Sequence, residues 1–461
     1  MSRKYFTKME NESVDDVIFG QAKHPVKLGW DQRAGYGNVY PNIKVAPAEG
    51  SEESVDGLEA TSKNIAFAAC ARAADIGLPA IQIEMEHVQQ QSISREASER
   101  CTAVTAEQLE ELHDKYGTRA SMMSTIADMR EEENGLRGSE FDVAMDESFE
   151  ACAENGASML CIETIGGKVV SDYGIQRGDV RAILYGIGVL GSIDMEYMWT
   201  KIVDVAKRNN ITPGGDTDCA QANTAMFLAG GLTSKNVSHT VAAMSRAMAG
   251  ARSLVAIECG ATGPTKDCGY ENPIVKSIAG VPICAEGKNA TCAHSDLMGN
   301  LTAAVCDVWS NESVYNREEM GGPTPGVWLQ SLGYECALMN TATKIGTNKE
   351  LRDTYALADK YRDPQGVILS YDNAYLIGEA IVAEGEDIYL RSRAAALKSI
   401  ELINEAVDEK RIYLTRFERD TMDSAANTFN QLPDDQDKFI KMCIKRYGRK
   451  VKDHDPSQYE L

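Results

Sequence analysis

LPAIQIEMEH at residues 78–87, AEQLEELHDKYG at 106–117 and RASMMSTIAD at 119–128 read in succession as strand, helix and strand. The first and third are short apolar runs. The middle one places its leucines on one face of a 3.6-residue turn and stops at Gly117, a residue suited to the left-handed helix end. The alternation continues outward. NIAFAACARAADIG (64–77) reads as a buried helix ending at Gly77, FDVAMDESFEACAENG (141–156) as a helix and ASMLCIET (157–164) as a strand. RAILYGIGVLG (181–191) reads as a further strand, DMEYMWTKIVDVAKRNN (194–210) as a helix before the short strand ITPGGD, and HTVAAMSRAMAGARS (239–253) as a helix before the strand LVAIECG (254–260). VPICAEG (281–287) follows as another strand.

Short strands separated by helices of ten or more residues build right-handed βαβ units and a parallel sheet. The repetition over 461 residues predicts an α/β fold of the closed (β/α)8 TIM type. Residues 1–60 are rich in Gly, Pro and acidic residues and read as an irregular arm lying on the body. Residues 61–380 read as the barrel, and 381–461, which lack strand patterns, as a helical C-terminal extension.

With 43% hydrophobic and 25% charged residues, a large core is assured. A formal net charge of -22 argues against nucleic acid and anionic membranes as partners, because phosphate binding requires Lys and Arg to displace counterions. The one basic run, KMCIKRYGRKVKDH (441–454), reads as the solvated end of a helix. No segment approaches the roughly 20 apolar residues of a membrane span, and the N-terminus lacks a signal-peptide core, so a cytoplasmic location is expected. Twelve cysteines are scattered along the chain without a Cys-x2-Cys pair, a pattern expected of mostly reduced, buried thiols.

Three residues stand out by position. Glu163 in MLCIETIGG, Cys219 in TPGGDTDCAQAN and Cys268 in IECGATGPTKDCGYENP each follow an apolar run in a Gly-rich neighbourhood. In a barrel, loops after strands converge at one mouth, where a carboxylate and two thiolates can hold one zinc ion and leave a fourth position open, as a catalytic site requires. Spacing alone also allows two ordinary loop cysteines. Asp218 and Asp267 each precede one of these cysteines. A neighbouring carboxylate disfavours a nucleophilic thiolate but suits a group supporting a metal ligand.

Other motifs compete. Gly186, Gly188 and Gly191 form a Gly-x-Gly-x2-Gly string of dinucleotide-fingerprint form, which would make the chain a nicotinamide-dependent oxidoreductase. Against it, the expected acidic residue falls in a helix or in the metal segment. Cys284, Cys292 and His294 make a second possible zinc cluster without a standard spacing. His87 reads as a core histidine.

LCIETIGGK (160–168), PGGDTDCAQANTAM (213–226) and IECGATGPTKDCGYENPIVK (257–276), with FGQAKHPVKLGW (19–30) and ICAEGKNATCAHSD (283–296), resemble the zinc-containing subunit of the methanol:corrinoid methyltransferases of methylotrophic methanogens and some acetogens. The resemblance spans nearly the whole chain. It implies a (β/α)8 barrel with one zinc per chain held by the matching residues Glu163, Cys219 and Cys268. It also implies methyl transfer from methanol to a corrinoid carried by a separate partner protein, in an assembly with more than one copy of each subunit. The chain has no Asp-x-His-x2-Gly cobalamin motif, so the corrinoid is expected from the partner.

On that reading zinc acts as a Lewis acid on the alcohol oxygen. With two thiolates and a carboxylate it carries a net charge of -1, and a proton for the departing oxygen becomes a second requirement. Asp218, Asp267 and Glu84 are the candidates for that proton or for orienting the ligands. A zinc enzyme that activates a thiol acceptor is the alternative within this chemistry.

Overall fold

The computed structural model describes residues 3–130, 135–230, 236–290 and 297–461. Among the described residues ten strands are present: β1 (Gln21–Lys27), β2 (Arg33–Tyr36), β3 (Tyr40–Ala46), β4 (Ala80–Glu86), β5 (Arg119–Ile126), β6 (Met159–Ile162), β7 (Thr212–Pro213), β8 (Cys284–Glu286), β9 (Val308–Ser310) and β10 (Ser313–Val314). Strands β3 to β9 pair in parallel in the order β7-β6-β5-β4-β3-β9-β8, and β10 extends the edge of β3.

The gap between β7 and β8 is closed by an irregular segment, residues 261–267. Thr262 and Gly263 donate their backbone N–H groups to Pro213 and Gly214 at 2.8 and 2.9 Å, and Glu286 N donates to Asp267 O at 3.0 Å. The segment is thus an eighth stave, and the barrel expected from the sequence is present. Among the described residues, no helix is long and apolar enough to cross a membrane.

The helices wrap the sheet as the strand-helix alternation requires. Val55–Ile76 and Arg95–Tyr116 end at Gly77 and Gly117 with φ of 67° each, the two stops read from the sequence. Beyond residue 381 the chain forms helices at Ile388–Asp408, Arg416–Asn430 and Gln436–Tyr447.

Three expectations fail, each for a physical reason. Residues 181–191 are not a strand: Val180–Ile183, a π-helical stretch Leu184–Gly191 and Ser192–Arg208 form one continuous helical run. Residues 254–260 are likewise helical, as the end of His239–Cys259, where every side chain from Thr240 to Glu258 is buried. Both helices lie between the sheet and the C-terminal helices, so apolar residues surround them and the 3.6-residue signature disappears. The third concerns residues 1–60, where Tyr40–Ala46 is a strand at the middle of the sheet. Its Asn42 and Lys44 are buried because they face a polar barrel interior, which disguised the strand as loop.

Alternate residues along the strands fill that interior in two zones. Tyr40, Ala80, Met123, Met159, Cys161, Cys284 and Val308 pack as an apolar plug at the N-terminal end, against Ala34, Val26 and Leu28 from the antiparallel β1–β2 hairpin and the turn that follows β1. Nearer the C-terminal ends the interior turns polar, with Asn42, Lys44, Glu84 and Glu286 all buried. Gln32, Ser121 and Gln82 are buried and hydrogen-bonded at the level of this floor, and the charged zone lies nearer the mouth.

Candidate metal centre

Glu163 comes directly after β6, Cys219 begins the helical turn Cys219–Asn223 after β7, and Cys268 follows the closing segment. One oxygen of Glu163 and the two sulfurs all lie within 4.8 Å of one another. Cys268 Sγ is 2.7 Å from Glu163 Oε1, and Thr217 Oγ1 lies 3.3 Å from Cys219 Sγ and 3.4 Å from Cys268 Sγ.

Cys219 and Cys268 are joined as a disulfide, with Cα atoms 6.4 Å apart, although both were expected as zinc-binding thiolates. A cystine has no thiolate to give a metal. Once reduced, the same backbone positions allow both sulfurs to bind one tetrahedral ion, whose Zn–S bonds of about 2.3 Å would hold them roughly 4 Å apart. The donor set of two thiolates and one carboxylate therefore fits zinc in the reduced chain and leaves one position free.

The ligand loops rest on a fully buried polar frame. Asp216 accepts from Thr164 N (3.1 Å), Thr164 Oγ1 (3.0 Å), Thr217 N (2.7 Å) and Trp199 Nε1 (2.7 Å), tying the residue after Glu163 to the Cys219 loop. Arg252 donates to the carbonyl of Thr164, to Thr164 Oγ1 at 2.9 Å and to Thr217 O at 3.2 Å, and pairs with Asp218 Oδ1 at 3.2 Å. Glu271 accepts from Asp218 N at 2.7 Å, from Ser253 Oγ at 2.8 Å and from Arg246 at 2.7 Å, which links the Cys219 loop to the chain just after Cys268.

Two glycines are required by this packing. A Cβ at Gly191 would lie 2.6 Å from Arg252 Nε, and one at Gly214 would lie 2.4 Å from Cys161 Sγ.

Inside the mouth a second cluster joins Glu163 to the barrel interior. Lys266 Nζ lies 3.0 Å from Glu163 Oε1, 3.0 Å from Glu84 Oε1, 3.3 Å from Glu86 and 2.5 Å from Asp267 Oδ1. Lys44 Nζ lies 3.3 Å from Glu86, 3.5 Å from Asp267 and 3.9 Å from Glu286. Asn42 Nδ2 and Thr125 Oγ1 donate to the two oxygens of Glu84 at 2.9 and 3.0 Å.

Burial and the charge of Asp267 push Glu84 up to about 7 against the pull of Lys266 and Lys44. For Asp267 itself burial acts upward, but the two ammonium groups outweigh it and hold the carboxyl below its ordinary range. Burial raises Asp218 to about 6, opposed chiefly by Arg252.

The sequence-derived residues therefore separate. Glu163, Cys219 and Cys268 converge, Glu84 and Asp267 join them through Lys266, and Asp218 belongs to the Arg252 frame. Lys44, Lys266, Asp216 and Arg252 were not singled out from sequence. The available signal was the two arginines, Arg246 and Arg252, in the alanine-rich run HTVAAMSRAMAGARS, where a buried charge demands a partner.

The dinucleotide reading is excluded for Gly186, Gly188 and Gly191, since all three are buried within the helical run and form no phosphate-cradling turn between strand and helix. Of the second zinc cluster, Cys284 is buried in β8, while Cys292 and His294 lie outside the described residues. His87 is a core histidine, lowered by burial to about 3 and 3.6 Å from Cys152 Sγ.

A parallel α/β barrel whose C-terminal mouth gathers two sulfurs and a carboxylate above an ion cluster has the architecture of a barrel enzyme with a candidate metal site at its mouth. A family model described as methanol-cobalamin methyltransferase B subunit matches residues 3–460, and the chain belongs to that family. The methanol–corrinoid protein co-methyltransferase of Methanosarcina barkeri is 46% identical over 461 residues, with 100% of both chains covered. The crystal structure of the methanol:cobalamin methyltransferase complex from Methanosarcina barkeri contains a chain that matches with a TM-score of 0.96 and 45% identity, covering 99% of this chain and 100% of that one.

Proposed function

We propose that this chain transfers the methyl group of methanol to the cobalt of a corrinoid carried by a partner protein, and that Glu163, Cys219 and Cys268 hold one zinc ion for the reaction. The observation that carries the zinc assignment is the convergence of these three donors within 4.8 Å at the barrel mouth of a chain from this family. Zinc supplies Lewis acidity toward the alcohol oxygen, whose departure as hydroxide would otherwise be prohibitive.

The chain's own residues then have distinct tasks. Asp216, Arg252 and Glu271 hold the ligand loops at fixed separation, so the donors are arranged before substrate enters. The apolar plug closes the barrel floor, which leaves the mouth as the approach for both methanol and the partner's corrinoid. When the carbon–oxygen bond breaks, the oxygen requires a proton to leave as water.

Of the three acids expected from sequence, Glu84 fits that task best: it is buried, it lies in the cluster that reaches Glu163, and its pKa near 7 keeps a proton available on its carboxyl at neutral pH. Asp267 is held anionic by Lys266 and Lys44, and Asp218 serves the loop frame through Arg252. The reading includes an assembly with the corrinoid protein containing more than one copy of each subunit, which the native mass of the reconstituted complex would measure.

The test is direct. Reduced, zinc-loaded protein mixed with cob(I)alamin should convert it to methylcobalamin only when methanol is present. Conversion with a panel of thiols in place of the cobalamin acceptor, and none with cob(I)alamin, would favour the thiol-acceptor alternative.

A further inference from the structure

Lys266 touches the one proposed ligand atom that is not sulfur. Its Nζ is 3.0 Å from Glu163 Oε1, the oxygen that also lies 2.7 Å from Cys268 Sγ, and 3.9 Å from Cys268 Sγ itself. The side chain is fully buried. Carboxylate oxygens of Asp267, Glu84, Glu86 and Glu163 stand 2.5, 3.0, 3.3 and 3.0 Å from its Nζ, the surroundings of a paired ammonium group.

A lysine needed only to neutralise Asp267 and Glu86 would have no reason to approach a ligand oxygen, and Lys44 already serves both of those carboxylates. The charge count at the mouth gives the contact a purpose. Two thiolates and a carboxylate leave a divalent ion with a net charge of -1, an electron-rich centre that polarises an alcohol weakly. A carboxylate oxygen that accepts a charge-assisted hydrogen bond donates less electron density to a metal, and its orientation is fixed.

We propose that Lys266 is a positioning residue for the reaction: it acts through Glu163 Oε1, orienting that oxygen and weakening it as a metal donor so that the alcohol oxygen is polarised more strongly. The inference rests on the reading that Glu163, Cys219 and Cys268 bind the metal, and it makes a prediction opposite to that of a structural role. Removing a cation from beside a metal site relieves repulsion, so metal affinity holds or rises while turnover falls. A collapsed site loses both.

The experiment uses the reduced full chain with Co2+ in place of Zn2+, whose visible d–d bands report the ligand field, and compares the wild type with K266M, K266R and the charge-balanced double variant K266Q/E86Q. Expected for K266M are stoichiometric Co2+ binding, chelator competition equal to or tighter than wild type, shifted d–d bands, and a fall in kcat for methanol-dependent cob(I)alamin methylation on the order of 10²-fold, the scale of losing one electrostatic donor. K266R should recover part of kcat. If K266M fails to fold, K266Q/E86Q carries the same readouts with the lost ammonium balanced by one lost carboxylate.

Wild-type bands and wild-type kcat in whichever of these two variants folds would overturn the role of Lys266. Folded protein that has lost its metal would overturn it too, as the mark of a structural part. A wild-type chain that binds no Co2+ would instead overturn the metal reading beneath it.

Discussion

Replacing Arg252 with Met tests the frame that holds the ligand loops. The guanidinium is completely buried, pairs with Asp218 at 3.2 Å and donates to the carbonyls of Thr164 and Thr217. Breaking a buried ion pair by removing one partner costs about 3–5 kcal/mol, because the remaining charge is left uncompensated. The orphaned carbonyls add to this, at about 1–3 kcal/mol for each acceptor left without a partner, although terms sharing one network do not sum.

The pH dependence gives a second readout. Asp218 rises from 3.8 to about 6 on folding, chiefly through burial and against the pull of Arg252, so the native state binds its proton more tightly than the unfolded chain. Such a group costs nothing below about pH 4 and removes stability as pH rises to about 6, a gap worth about 3 kcal/mol at 1.36 kcal/mol for each pH unit. Without Arg252 the folded carboxyl titrates higher still, and the losing window extends upward through neutrality.

Urea unfolding of wild type and R252M from pH 5 to pH 8 measures both effects. The variant should be less stable by about 3–5 kcal/mol at pH 8, with the deficit shrinking toward pH 5, and should retain less zinc after dialysis. A deficit below about 1 kcal/mol, or one independent of pH, would refute the proposed part played by Arg252, since only an exposed pair is worth so little.

Two further outcomes concern the site itself. Glu84→Gln removes the proposed proton, so turnover should fall by about 10²–10⁴-fold; the wild-type rate should decline as pH rises through about 7, and a variant keeping that decline would show that another group carries the proton. Because Cys219 and Cys268 are bridged, oxidised metal-free chain should expose two fewer titratable thiols than reduced chain on denaturation and take up no zinc until a reductant is added, whereas unchanged zinc uptake by the oxidised form would exclude these sulfurs as ligands.

Sequence patterns revealed the barrel where strands stood out as short apolar runs and helices kept one face toward water. β4, β5 and β6 were legible, as were the helix stops at Gly77 and Gly117. The patterns misled at residues 181–191 and 254–260, where a helix buried on all sides has no polar face to mark its period. They hid Tyr40–Ala46 because a barrel with a polar interior turns Asn42 and Lys44 inward.

For the site, Glu163, Cys219 and Cys268 were legible as a possible set from strand ends and donor chemistry, and family resemblance narrowed that set. Lys266, standing in the same TKDC string as Cys268, was not. Its importance lies in carboxylates brought from Glu84 and Glu163, and a contact between residues far apart in the chain leaves no local pattern. The same holds for Asp216 and Arg252, whose shared partner Thr164 stands 52 and 88 residues away in the chain.

Zinc content and methyl transfer measured together in reduced wild type, Cys219→Ala and Cys268→Ala test the central claim most directly. One zinc per wild-type chain, with both variants losing the metal and methanol-dependent methylation of cob(I)alamin in parallel, is the predicted result; full zinc content in both variants would contradict it.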